Sequence, residues 1–284
     1  MGPIGVFDSG LGGLTVLRAL LRRLPAEDFV YFGDTARVPY GTKGARTVRE
    51  FARQDAAFLQ GLGVKMIVVA CNTAAAFALE TLQAQFPLPV LGVIEPGVSA
   101  ALARTRGGRI GVIGTSGTIR SGRYQEALAA AVGAPRVVAR ECPLLVPLAE
   151  EGLTNHPLTE MAIAHYLLPL RQAGVDTLIL GCTHYPLLKP AISRFMEPET
   201  VLVDSAEELA ESAARRLGEL GLQRPASAAA APASRLEFWL SDVPWQFAEI
   251  GARFLGRPIE AARQVNLDEV EQAGRLVRHG RERA

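Results

Sequence analysis

Two stretches of the chain, VKMIVVACNT (64–73) and VDTLILGCTH (175–184), can be laid one above the other. Each runs from a valine and a polar residue through an apolar run to a small residue, a cysteine and two polar residues. Nineteen residues after each cysteine stands a Val-Leu pair, Val90-Leu91 and Val201-Leu202. Before the first cysteine, PIGVF (3–7), DFVYF (28–32) and KMIVVA (65–70) read as buried strands, and PVLGVI (89–94) follows it. Between them LTVLRALLRRL (14–24), ARTVREFARQDAAFLQGL (45–62) and TAAAFALETLQAQF (73–86) carry helical spacing. Apolar strands alternating with amphipathic helices predict a parallel sheet covered by helices. The pattern restarts at RIGVIG (109–114), with a helix at about 120–132, RVVAR (136–140), a helix at about 158–173, VDTLILG (175–181) and TVLVD (200–204). The prediction is two pseudo-symmetric α/β domains with parallel sheets and an active site in the cleft between them.

The expected division is residues 1–97 plus about 206–256 for the first domain, 98–205 for the second, and a C-terminal tail over 257–284. LEFWL (236–240) reads as a strand and PWQFAEIGARFLG (244–256) as a helix, and neither has a counterpart in the repeat. The segment PASAAAAPAS (225–234) is of low complexity and is expected to be a flexible insert.

A chain of 284 residues is long enough for two such domains. A net charge of +1 gives no reason to expect a nucleic acid or a membrane surface as partner. No apolar run reaches about 18 residues, and MGPIGVFDSG has neither a basic segment nor a cleavage site, so a cytoplasmic protein is expected. The three cysteines, Cys71, Cys142 and Cys182, form no CxxC and fit no disulfide scaffold.

Ligands of open parallel sheets bind beyond the carboxyl ends of the strands. Polar clusters stand at four such ends: Asp8-Ser9-Gly10, Asp34-Thr35 with Pro39-Tyr40-Gly41, Cys71-Asn72-Thr73, and Cys182-Thr183-His184. Pseudo-symmetry would bring the two cysteine clusters face to face. A thiol at a helix start is expected to have a lowered pKa. Two thiols on opposite sides of a small ligand can serve as proton acceptor and proton donor, which inverts a stereocentre bearing an acidic C–H. Asn72, Thr73 and Thr183 suit the carboxylates and ammonium of an amino acid. DSGLGGLT (8–15) and GTSGT (114–118) could each hold a carboxylate or phosphate on backbone N–H groups. Cys71, Cys182 and His184 could instead bind zinc, though paired ligand spacings are absent. Cys142 in RECPLLVPL has no match and reads as a buried filler, while His156, His165 and His279 read as surface residues.

DSGLGGLTV (8–16), YFGDTARVPYG (31–41), ACNTA (70–74), VPLAEEG (146–152) and GCTHYP (181–186) resemble the glutamate racemases, the cofactor-independent family, in the same order over about residues 4–255. The resemblance implies Cys71 and Cys182 as the two catalytic acid/bases, with Asp8 supporting Cys71 and His184 supporting Cys182. It implies Glu150 as a further carboxylate of the site, with Asp34 a weaker candidate. Asp8, Ser9, Tyr40, Gly41, Asn72, Thr73, Thr183 and His184 would line the substrate pocket, with Thr115 and Thr118 adding contacts from the second domain. No PLP or metal would be needed, the assembly would be a homodimer, and the product D-glutamate would enter peptidoglycan. An aspartate or hydantoin racemase is the rival within the same chemistry. A two-domain binding protein with incidental thiols, or a redox sensor joining Cys71 to Cys182, are the alternatives outside it.

Overall fold

The computed structural model describes residues 2–224 and 234–281. The chain opens with β1 (Ile4–Asp8), α1 (Leu14–Arg23), β2 (Phe29–Gly33), α2 (Ala45–Gly61), β3 (Met66–Val69), α3 (Asn72–Gln85), β4 (Val90–Gly92) and α4 (Ile94–Arg104). It winds again through β5 (Arg109–Gly114), α5 (Ser116–Arg120), α6 (Arg123–Ala129), β6 (Arg136–Glu141), α7 (Leu145–Glu150), α8 (Pro157–Gln172), β7 (Thr177–Gly181), α9 (Lys189–Met196) and β8 (Val201–Asp204). After α10 (Ser205–Glu219) it returns to the first sheet with β9 (Leu236–Leu240), α11 (Phe247–Leu255), β10 (Arg263–Gln264) and α12 (Leu267–Arg281).

The first sheet has the order β10-β9-β2-β1-β3-β4 and the second β6-β5-β7-β8, with every pairing parallel. Without β9 and β10 the two orders are the same winding, so β3 and β7 occupy equivalent central places. This is the two-fold α/β architecture expected from the matched cysteine stretches. β1, β2, β3 and β7 are buried along their whole length because helices cover both faces of their sheets. In the second sheet the pleat sorts the side chains. Ile110, Val112 and Ile179 face a core shared with the first sheet, whereas Ile113, Leu178 and Leu180 face a separate one.

The structure differs from the expectations in two described places. The helix expected at about 120–132 is α6, shorter than expected, and a separate short helix, α5, precedes it; Gly122, with a φ of 75°, divides the two. The segment 257–284, expected as a tail, supplies β10 and α12. Helix α12 lies against α2, with Val270 fully buried and Arg53 Nη1 donating to the Gly274 carbonyl. The insert expected at 225–234 lies, except for Ser234, outside the described residues; Ser234 Oγ donates to the Pro25 carbonyl at 2.5 Å. Among the described residues no helix is long and apolar enough to cross a membrane.

Candidate active site

A cavity of about 330 Å3 opens where the carboxyl ends of the two sheets meet. Residues from both halves line it. Ser9, Tyr40, Gly41, Cys71, Asn72 and Thr73 come from the first half, and Thr115, Glu150, Cys182, Thr183 and His184 from the second. Two of the expected site residues stand behind its wall: Asp8 and Thr118 are buried and do not line it. Thr42 and Pro143 line it too and were not among the expected site residues, while Val38, Pro39, Ser116, Val146 and Pro147, which also line it, lie in stretches the sequence singled out. The three prolines and valines from 143–147 form an apolar side, a signal too general to be recognised without the fold.

Cys71 follows β3 and caps α3, its sulfur accepting the Ala74 N–H at 3.5 Å. Its thiol donates to Ser9 Oγ at 3.6 Å and is only 5% exposed. Burial first, and the Asp8 charge second, push this thiol up to about 12, against the smaller opposing pull of the Ala74 and Ser9 contacts. The expectation that a helix start lowers the Cys71 pKa is therefore reversed here. Desolvation of a thiolate outweighs the dipole when the sulfur is enclosed beside a carboxylate. Asp8 is itself raised, by burial, although His184 and the Gly10 and Gly13 N–H groups pull the other way.

Cys182 follows β7 and meets a different environment. Its Sγ lies 3.7 Å from His184 Nδ1, and His184 Nε2 lies 2.8 Å from Glu150 Oε1 at the end of α7. Burial lowers the His184 pKa, but the hydrogen bonds and charges of Cys182 and Glu150 together outweigh it and raise the group to about 10. In the imidazolium form that this shift favours, Nδ1–H faces the sulfur, with Thr183 Oγ1 at 3.4 Å, and Nε2–H donates to Glu150. The site is thus electrically lopsided: a protonated thiol on the Cys71 side, an imidazolium beside the sulfur on the Cys182 side. Gly181 precedes Cys182 because a Cβ there would lie 2.7 Å from the Ile113 carbonyl oxygen.

The raised His184 pKa fixes the sign of a pH effect. The folded state holds the proton more tightly than the unfolded chain, whose histidines titrate near 6.5. Stability from this group is complete below about pH 6.5 and is lost as pH rises through about 10. The gap in unfolding free energy between wild type and His184→Asn is expected to narrow across that window in denaturant titrations. A gap that stays constant would contradict the assignment.

The glycine loop after β1 has a steric role. A Cβ on Gly12 would lie 2.2 Å from Thr183 Oγ1 and 2.5 Å from His184 Nδ1, so only glycine lets the loop seat against the second half. Thr15 Oγ1 donates to the Thr183 carbonyl at 2.8 Å across the same junction. Gly12→Ala is expected to displace His184 and lower kcat/KM roughly 100-fold. A change within twofold in a steady-state assay would show that the contact relaxes without consequence.

Further across the cavity, the Thr73, Thr115 and Thr118 hydroxyls form a triangle with sides of 2.9, 3.1 and 3.0 Å. It joins α3 to the start of α5. Asn72 Oδ1 accepts from the Tyr124 hydroxyl at 2.7 Å, so that end of the amide is already used. Tyr40 contributes to the wall, but its hydroxyl faces away, donating to Asp34 Oδ2 and lying 2.9 Å from Asp55 Oδ2. One phenolic proton cannot fill both bonds. Burial and the Asp34 charge raise Asp55 well above the usual carboxylate range, so its carboxyl proton fills the second. Arg37 Nε donates to Asp34 Oδ2 at 2.7 Å and Nη2 to Asp55 Oδ1 at 3.0 Å. Asp34 thus lies in a buried knot behind the wall and not in its lining. Among the described residues no group of three or more His, Cys, Asp or Glu side chains could hold a metal ion, and all three cysteines are free thiols.

Comparison with known proteins places this geometry. The profile of the Asp/Glu/Hydantoin racemase family matches residues 4–213. The chain belongs to that racemase family. It is 52% identical over 265 residues to a glutamate racemase of Geobacter metallireducens, covering 93% of this chain and 97% of that protein. Among solved structures, glutamate racemase from Thermus thermophilus in complex with β-chloro-D-alanine superposes with a TM-score of 0.84 at 46% identity, over 94% of this chain and 98% of that one. Glutamate racemase from Francisella tularensis in complex with D-glutamate gives 0.87 at 36% identity with the same coverage. As in those racemases, the architecture is two domains of parallel sheets.

Proposed function

We propose that this protein is a glutamate racemase that interconverts L- and D-glutamate with two cysteines and no cofactor. The observation that carries the reading is that Cys71 and Cys182 follow equivalent strands and open on one cavity. The similarity to proteins named glutamate racemase, one holding D-glutamate, supports the choice of substrate. The short hydroxyls and amide of Thr73, Asn72, Thr115 and Thr183 would take the charged ends of the amino acid.

In the reaction one thiolate removes the Cα proton and becomes a thiol. The electron pair passes onto Cα and its carboxylate. The opposite thiol gives its proton to the other face and becomes the thiolate. Each turnover thus moves a negative charge from one sulfur to the other. The asymmetry of the surroundings suits this: when the charge is on the Cys182 sulfur, His184 lies 3.7 Å away to pair with it, while burial and Asp8 keep the Cys71 thiol protonated. His184 and Glu150 would follow the charge on Cys182, and Asp8 the charge on Cys71. The D-glutamate formed would serve peptidoglycan synthesis.

Optical rotation of purified protein with L-glutamate, D-glutamate and L-aspartate, each without added PLP, tests the reading. Both glutamate enantiomers are expected to decay to zero rotation while aspartate is unchanged. Decay of aspartate alone would move the substrate assignment to the rival racemase, and no decay of any would overturn the racemase reading.

A further inference from the structure

Helix α11 belongs to the C-terminal segment that has no counterpart in the repeat, yet it reaches the Cys182 side of the site. Phe254 near its end is fully buried, and its ring lies 5.1 Å from the His184 ring, centroid to centroid, with planes at 80°. The neighbouring Arg253 abuts the turn after Glu150: a Cβ on Gly152 would lie 2.1 Å from Arg253 Nη1. One helix therefore touches His184 and the turn that follows Glu150. Among the described residues no such ring contact is seen at Cys71, whose polar surroundings are Ser9, the Ala74 N–H and the Asp8 charge.

The imidazole has polar partners at both nitrogens, Cys182 Sγ and Thr183 Oγ1 at Nδ1 and Glu150 Oε1 at Nε2. They fix where the nitrogens sit, while the tilt of the ring about the line joining them is set by what packs on its faces, the Gly12 loop and Phe254. A packed aromatic ring at an edge-to-face angle restrains that tilt. The helix holds Phe254 firmly, because Phe247, Gly251 and Leu255 are buried with it and a Cβ on Gly251 would lie 2.7 Å from Ile259 Cδ1.

We infer that Phe254 is a positioning residue for His184, tuning proton transfer at Cys182 and not at Cys71. The inference rests on the proposed two-thiol reaction. Its signature is directional. The equilibrium constant between enantiomers is one, so any variant lowers kcat/KM equally in both directions. The primary deuterium isotope effects are not so constrained. When the Cys182 step is slowed, the enantiomer that gives its proton to Cys182 shows a larger effect and the other a smaller one.

The experiment measures kcat/KM for each glutamate enantiomer, protiated and deuterated at Cα, in wild type, Phe254→Leu and Phe247→Leu. Phe247 lies on the same helix and packs on Phe238, so it controls for a loosened α11. Phe254→Leu is expected to lower kcat/KM roughly ten- to a hundredfold in both directions and to split the two isotope effects. Phe247→Leu is expected to leave both isotope effects at their wild-type values. Phe254→Met carries the same expectation should the leucine variant fail to fold. An unchanged rate, or a lower rate with both isotope effects moving together, would overturn the inference while the racemase reading stands. Absence of racemisation in wild type itself would instead overturn the reading on which it rests.

Discussion

Changing Cys182 to serine is expected to lower kcat for glutamate about 10³-fold, and changing Cys71 to serine to do the same, because each removes one of two proton carriers. The size follows from the roles. An alcohol in place of a thiol is a far weaker acid, so it holds its proton when a base is needed and yields it reluctantly when an acid is needed. Glutamate binding is expected to persist in both variants, since neither sulfur holds a charged end of the substrate in the proposed pose. Steady-state racemisation with parallel calorimetric binding separates the two effects. Retention of more than a tenth of the activity in either variant would remove that cysteine from the mechanism. The Cys71 environment bears on this: burial and Asp8 push the thiol up to about 12 and so keep it protonated between turnovers, and a serine, a weaker acid still, would yield its proton less readily.

Arg37→Met is expected to destabilise the fold by about 3–5 kcal/mol, as removal of one partner from a buried ionic group does. Arg37 is the cation between Asp34 and Asp55, both with fully buried side chains, and it also donates to Gln54. Without it the two carboxyls and the Tyr40 hydroxyl remain enclosed with no positive charge among the groups bonded to them. Ser241 Oγ, which donates to Asp34 Oδ1 at 2.9 Å, cannot replace that charge. The loss extends to the cavity wall. Gly41, next to Tyr40, packs against Thr115, where an added Cβ would lie 2.8 Å from the threonine Cβ. Denaturant unfolding measures the effect directly, and a loss under about 1 kcal/mol would mean that the knot contributes little net stability.

Much of this architecture is legible from local pattern. The fully buried strands are near-continuous apolar runs, so β1, β2, β3 and β7 announce themselves within a residue or two of their ends. The matched cysteines were legible for the same reason, since the strand before each must be apolar and the residue before each must be small. Helix α4 was not legible. It packs against α10 and both β7 and β8, and its exposed stripe is narrow, with Glu95 and Ser99 as its polar members before Arg104, too little to mark a helical period. Helix α10 did carry a signal, with Asp204 accepting the Ala206 N–H as its cap and Glu207 and Glu208 in its first turn. Helix α12 reads as a charged tail because few apolar residues, Val270 among them, anchor it on α2.

Within the site, the residue types were readable but the electrostatics were not. Local sequence places Cys71 at a helix start, which argues for a lowered pKa, and only the fold reveals the enclosure and the Asp8 charge that reverse it. The Asp34–Arg37–Asp55 knot depends on how α2 crosses behind the loop, and the Phe254–His184 contact joins residues seventy apart. Contacts of that kind come from tertiary packing and have no local pattern.

The central claim is that two opposed thiols exchange one proton each through the substrate, and the early course of reaction in D2O tests it most directly. L-Glutamate is mixed with the protein in D2O without added PLP, and product and residual substrate are separated at low conversion. The account predicts that D-glutamate carries solvent deuterium at Cα while the remaining L-glutamate keeps its original proton. A product that retains the substrate proton, or a substrate that exchanges as fast as product forms, would contradict the two-thiol account and point to a single base serving both faces.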